Sequence, residues 1–147
     1  MTIITASQQR LRRVFLENFS AADIAEPLAS FDACTPAADV LAIMTRRAYK
    51  VAGIRKDGAL CGYVRQEELT QGTCGERVHP FQDGDVVLDS AGIPDVVKRL
   101  NDRPSLFVNV LGQVGAIVTR TDLQKPPVRM WLFGMITIIE RSEEHTS

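Results

Sequence analysis

Apolar positions along the chain change their period several times, and each change marks an element. In residues 7–19, Leu11, Phe15 and Phe19 recur every four positions with Val14 beside them. That is the spacing of a helix with one buried stripe, and Ser7 stands where an N-cap would. Ser20-Ala21-Ala22-Asp23 has the form of a capping box, and Pro27 acts as a breaker. Thr35-Pro36 opens a second helix, since proline suits the first helical position, and Val40, Leu41 and Met44 give it an apolar face. A short strand over 51–54 follows, then Asp57-Gly58 as a hairpin turn and a return strand over 60–64. Residues 66–69 begin another helix, and Gln71-Gly72-Thr73-Cys74-Gly75 reads as a loop and the main internal boundary.

The same order then recurs. Residues 86–88 read as a strand and 93–100 as a helix with Ile93, Val96, Val97 and Leu100 inward. A strand over 106–110, a turn at Leu111-Gly112 and a strand over 114–118 lead to Thr119, which opens a further helix. From the turns onward the copies superpose at an offset of 54 residues, which pairs Asp57 with Leu111 and Leu69 with Leu123. Each copy is too small to bury a core alone, so two copies predict a closed pair rather than an open array. The expected fold class is α/β in the mixed α+β sense. Its expected divisions are an N-terminal helix within 1–20, units at 21–72 and 73–125, and a C-terminal helix over 126–140.

Composition narrows the chemistry. The chain has 147 residues, 45% hydrophobic and 24% charged, with a formal net charge of −1. That is ordinary globular composition, and it gives no electrostatic case for nucleic acid or an anionic membrane surface. The basic group Arg10, Arg12 and Arg13 reads as a solvated helix face. Cys34, Cys61 and Cys74 are odd in number and lack C-x-x-C spacing, which argues against a disulfide framework or zinc site and fits reduced, cytoplasmic thiols. Cys61 falls in a strand pattern, so a small buried hydrophobe is expected there. His79, in a polar connection before Pro80, and His145 have no neighbouring ligand set, so no metal is expected. The N-terminus lacks a secretory apolar stretch, and the apolar run over 130–139 is half the ~20 residues a bilayer crossing needs. A P-loop and Ser/His/Asp or Cys/His sets are missing, and the adjacent Glu67-Glu68 point in different directions on a helix. An enzyme is therefore not expected.

After Pro126-Pro127, residues 128–140 read as a helix that is apolar on more than one face, through Trp131, Leu132, Met135, Ile136, Ile138 and Ile139. Such a helix is expected to be buried against the pair, the N-terminal helix or a dimer partner. Residues 141–147 resemble the translation of a common sequencing-library adapter. They are expected to be non-native, with the natural chain continuing past Glu140.

The stretch from Val114 to Leu123 carries the chemistry. A strand turns at Thr119, and Asp122 follows in the first turn, so a hydroxyl, backbone N–H groups and a carboxylate converge. Such a corner suits a phosphorylated sugar, because helix starts attract anions and a carboxylate accepts from hydroxyls. Within it, Ala116-Ile117-Val118-Thr119-Arg120-Thr121-Asp122-Leu123 runs as a small residue, two apolar residues, Thr, two variable positions, Asp and an apolar residue. With the preceding hairpin and the repeat, residues 21 to about 125 resemble the CBS domain family, named for cystathionine β-synthase and usually found as tandem pairs, or Bateman modules.

The resemblance implies two βαββα units whose sheets pack about a pseudo-twofold axis, with clefts that take an adenosine nucleotide such as AMP, ADP or ATP. It implies that Asp122 binds ribose hydroxyls and Thr119 contacts phosphate. Arg120 would offer a cation at the rim, and Val87, Pro104 and Leu106, by their place in the unit, an apolar slot for adenine. The first copy departs from the pattern. Arg65 stands for the Thr and Glu68 for the Asp, while Gly62 keeps the small position, so the second site is expected to be degenerate. Ala116 stands where the family commonly has Gly. The implied function is a non-catalytic regulatory sensor, requiring no cofactor, homodimeric, with 128–140 as its output element. A second account stands beside it. Thr119-x-x-Asp122 is also a capping-box variant, worth ~1 kcal/mol with no ligand, in a module that is purely structural or oligomerising.

Overall fold

The computed structural model describes residues 6, 7, 9, 10, 13 and 18–144, with Met135 and residues 137–144 described by their backbone alone. The helix expected over 7–19 therefore lies largely outside the described residues. In chain order the elements are α1 (Ala21–Ile24), β1 (Glu26–Pro27), β2 (Ser30–Asp32), α2 (Ala37–Arg47), β3 (Val51–Lys56), β4 (Ala59–Arg65), β5 (His79–Pro80), β6 (Val86–Leu88), α3 (Ile93–Leu100), β7 (Ser105–Val110), β8 (Gln113–Thr119) and α4 (Pro126–Glu144). They form two four-stranded sheets, ordered β1-β8-β7-β6 and β2-β3-β4-β5.

Both expected hairpins form, on turns that need left-handed backbone. Asp57 and Gly58 have φ of 52° and 80°, and Leu111 and Gly112 have 54° and 89°. Two consecutive positive values match the twist of the flanking strands, which is why such turns dominate short hairpins. The repeat extends to an irregularity that sequence does not reveal. In β3–β4 the register shifts between Ile54 and Arg55, and in β7–β8 between Val108 and Asn109, again 54 residues on. Ile54 pairs with Gly62 and Arg55 with Leu60, so Cys61 is the extra residue of a bulge. This corrects the expectation for Cys61: an unpaired bulge residue is pushed outward, and it is exposed. The buried thiol is Cys74, whose Sγ donates to the Asp32 carbonyl at 3.1 Å and whose pKa is raised by burial.

Packing divides the chain into two compact units, one formed by residues 27–86 and the other by the segments on either side of it. The expected divisions, 21–72 and 73–125, follow the sequence repeat instead. The difference arises at α1, where Ala21 N–H donates to the Ala91 carbonyl at 2.8 Å and Ala22 N–H to the Asp89 carbonyl at 3.0 Å. Ala21 and Ile24 are buried with Val87, Ile93, Val96, Leu100, Leu106, Val108 and Val118. The other unit packs Ala37, Val40 and Met44 of α2 on Ala52, Ile54 and Val64, with Leu69 and Cys74. Spacings of three and four place those helical residues, like Ile93, Val96 and Leu100, on one face.

Several expected elements are shorter or differently placed. The helices predicted after Arg65 and Thr119 are single 3-10 turns, Gln66–Glu68 and Arg120–Gln124. The second stops because Lys125 precedes Pro126, and a residue before proline is driven from helical to extended backbone; its ψ is 153°. Pro36 sits at the N-cap of α2 rather than inside it. His79-Pro80, expected as a connection, pairs with Tyr63 and Gly62 as an edge strand. Among the described side chains of α4, only one face is covered. Val128 is buried and Trp131 packs on the same core, whereas Met130, Leu132, Phe133 and Ile136 are exposed. Among the described residues, no helix is long and apolar enough to cross a membrane.

Candidate functional site

Strand β8 delivers Thr119 to the end of the sheet with extended backbone, and the 3-10 turn brings Asp122 back under it. Asp122 Oδ2 accepts the Thr119 backbone N–H at 2.8 Å and the Thr119 hydroxyl at 3.3 Å. Its other oxygen, Oδ1, lies 3.0 Å from Lys125 Nζ. Lys125 also donates to the Ile24 carbonyl at 2.9 Å and to Glu26 Oε1 at 3.0 Å. An ammonium has three donors, and here each has an acceptor. Burial works against the Lys125 charge, but Asp122 and Glu26 more than offset it, so its pKa lies above the usual lysine value. The Asp122 residue is 6% exposed.

The structure thus brings Thr119 and Asp122 together and adds Lys125, which the sequence reading did not single out. The other expected site residues are dispersed. Arg120 Nε donates to the Leu100 carbonyl at 2.9 Å, closing the last turn of α3, where a cation also suits the helix dipole. Val87 is 5% exposed and Leu106 fully buried, both within the core around α3, while Pro104 is exposed. Inward positions of β6 and β7 serve the core first. The turn after Thr119 spans five residues, so the dipole available to attract a phosphate is smaller than a full helix would give.

The first copy is closed in a different way. Arg65 Nη1 lies 3.0 Å from Glu68 Oε1, and His79 Nε2 lies 2.5 Å from Glu68 Oε2. The Arg65 guanidinium stands 5.6 Å over the Tyr63 ring, whose hydroxyl accepts from Nη2 at 3.5 Å. Tyr63 in turn neighbours His79 and stacks on Phe81, at 5.3 and 5.8 Å between centroids. The hydrogen bond from His79, with Arg65 adding and burial opposing, holds the Glu68 carboxyl below its usual pKa. His79 joins this cluster only because β5 pairs with β4, a tertiary event without a local signal. Among the described residues, no group of three or more His, Cys, Asp or Glu side chains is placed to hold a metal ion.

No protein-family model and no curated protein matches the chain. Solved structures do. CBSX2 in complex with AMP aligns at 18% identity and a TM-score of 0.63, over 76% of this chain and 98% of that one. The CBS domain of the bacterial CNNM/CorC family Mg2+ transporter in complex with ATP aligns at 16% identity and a TM-score of 0.60, over 86% and 95%. A hemolysin-like protein containing a CBS domain, from Oenococcus oeni, aligns at 16% identity and a TM-score of 0.58, over 78% and 93%. At these identities the likeness is one of fold, and the mixed α+β architecture of this chain is the CBS-domain fold.

Proposed function

We propose that the chain is a non-catalytic regulatory module that senses an adenosine nucleotide, AMP, ADP or ATP, at the Thr119–Asp122 corner. The observation that carries this reading is that proteins of the same fold hold AMP and ATP. The chemistry of the corner supports it, since a carboxylate beside a hydroxyl suits the hydroxyls of a ribose. In this reading Asp122 takes the ribose, Thr119 a phosphate oxygen, and the remaining guanidinium donors of Arg120 the phosphate rim. Of the three adenine-slot residues, Pro104 is the one on the surface. Arg65 and Glu68 have a structural role. The reading places the protein in the cytoplasm as a homodimer, for which the exposed Met130, Phe133 and Ile136 of α4 offer apolar surface.

One observation favours the alternative, a structural or oligomerising module in which Thr119 and Asp122 only cap a turn. Asp122 is 6% exposed and both its oxygens are engaged within the chain. Thermal shift or calorimetry with AMP, ADP, ATP and S-adenosylmethionine, on the wild type and Asp122→Ala, separates the two. Ligand at 100 times its Kd adds ~2.7 kcal/mol of stability. No shift with any of the four removes the nucleotide reading, and an equal shift in Asp122→Ala moves the site elsewhere.

A further inference from the structure

We infer that Lys125 is the gate of the Asp122 corner: its ammonium holds Asp122 Oδ1 in the ligand-free protein and must release it before a ribose is accepted. The inference rests on the nucleotide reading above and adds how that site is controlled.

A carboxylate offers about four acceptor sites. Three are in use here, by the Thr119 N–H, the Thr119 hydroxyl and Lys125. A vicinal diol brings two hydroxyls, so one present donor must leave. The Thr119 N–H is fixed by the backbone at the end of β8, and its hydroxyl oxygen, even with its hydrogen turned to a phosphate, still stands 3.3 Å from Oδ2 and crowds that oxygen, so the approach to the carboxylate is through Oδ1. Lys125 is the donor built to move, a cation on a flexible four-carbon stem. On leaving Asp122 it keeps two acceptors, the Ile24 carbonyl and Glu26 Oε1. Its departure therefore exposes the carboxylate without stranding the ammonium.

The same three contacts make Lys125 a coupling element. One reaches the corner, the other two reach α1 and β1, and Lys125 is the last residue before α4. Occupancy at Asp122 is thereby tied to the Ile24–Glu26 segment and to the start of α4. A ligand shifts such an arrangement only by its differential affinity for the open and closed forms.

The test is calorimetry of AMP, ADP and ATP with the full chain, as wild type, Lys125→Met, Lys125→Arg and Asp122→Ala, with amide hydrogen exchange over residues 24–26. The gate predicts that Lys125→Met binds about 5- to 10-fold more tightly, which is ~1–1.4 kcal/mol. Lys125→Arg, keeping the cation, stays near the wild type, and Asp122→Ala does not bind. Nucleotide alters exchange at 24–26 in the wild type, where the released ammonium rests on Ile24 and Glu26 alone, and leaves it unchanged in Lys125→Met. Binding seen only in Lys125→Met also supports the gate. If the wild type binds and Lys125→Met binds equally or more weakly, the gate is wrong while the nucleotide reading stands. If no variant binds, the nucleotide reading fails and takes the gate with it. Should Lys125→Met not fold, Lys125→Gln gives the same comparison, since its neutral amide still donates but yields to a ligand.

Discussion

Glu68 and Asp122 hold the same place in the two copies, and each has both carboxylate oxygens engaged by donors of its own chain. The donors are Arg65 and His79 for Glu68, and Thr119 and Lys125 for Asp122. The closures differ in kind. Arg65 is a planar fork braced against an aromatic ring, which resists displacement. Lys125 is a point charge on a flexible stem. Equivalent positions have thus become one locked corner and one that a competing donor can open.

The capping role of the Thr119–Asp122 pair is measurable in the absence of ligand. Thr119→Ala removes the hydroxyl bond alone and is expected to cost ~1 kcal/mol by urea denaturation. Asp122→Ala also leaves the Thr119 N–H without its acceptor and Lys125 without one of its two anions, so roughly 2–3 kcal/mol is expected. Equal costs would mean that the Lys125 contact contributes nothing to the fold.

Two groups shape the pH dependence with opposite signs. Glu68 has a depressed folded-state pKa, so its contribution is present above the unfolded value of about 4.3 and is lost as pH falls through the folded value. Lys125 has a raised one, so its contribution is full below about pH 10.4 and is lost as pH rises through the folded value. Urea midpoints measured from pH 2.5 to 7 should flatten in Glu68→Gln, and those from pH 9 to 12 in Lys125→Met.

Gly62 and Ala116 share a register position but not a tolerance. A Cβ on Gly62 would run into the His79 carbonyl of β5 and stand 2.7 Å from Cγ2 of Val78, the residue just before that strand. Gly62→Ala should detach β5, part His79 from Glu68 and cost about 2 kcal/mol in thermal unfolding. Ala116→Gly should cost only ~0.5–1 kcal/mol, from backbone entropy and one lost methyl.

Leu111 is strained and 96% exposed, with φ at 54°. A leucine in left-handed backbone costs roughly 1–2 kcal/mol, and nothing within 4 Å would meet a Cβ on the neighbouring Gly112. Leu111→Asn or Leu111→Gly should therefore stabilise the chain by ~1 kcal/mol, read as a rise in urea midpoint without a change in slope.

What could be read from sequence was local or periodic. The hairpins were legible because Asp57-Gly58 and Leu111-Gly112 need nothing beyond their own backbone. The helix from Ile93 to Leu100 was legible because its inward residues repeat at three and four. Strand β5 was not, because two residues carry no period and exist as a strand only against Gly62 and Tyr63. Cys61 faces outward, against the strand pattern, because a bulge breaks the alternation on which strand reading relies. Thr119 and Asp122 stood out as neighbours in sequence. Lys125 did not, because its partner Ile24 lies 101 residues away. Val87 and Leu106 lie in the core, and their position in a repeat alone does not distinguish a slot from a core.

The bonds from Ala21 to Ala91 and from Ala22 to Asp89 have a consequence for how the chain folds as it is made. Residues 27–86 are contiguous, so their core residues can meet as soon as that stretch has emerged from the ribosome. The surrounding unit cannot. Its α1 must wait for partners about seventy residues downstream, and drawing so long a loop together costs on the order of 4 kcal/mol. Until the segment after residue 87 arrives, Ala21 and Ile24 remain exposed. The order of completion therefore runs from the middle of the chain outward, and the corner at Asp122 is among the last parts to form.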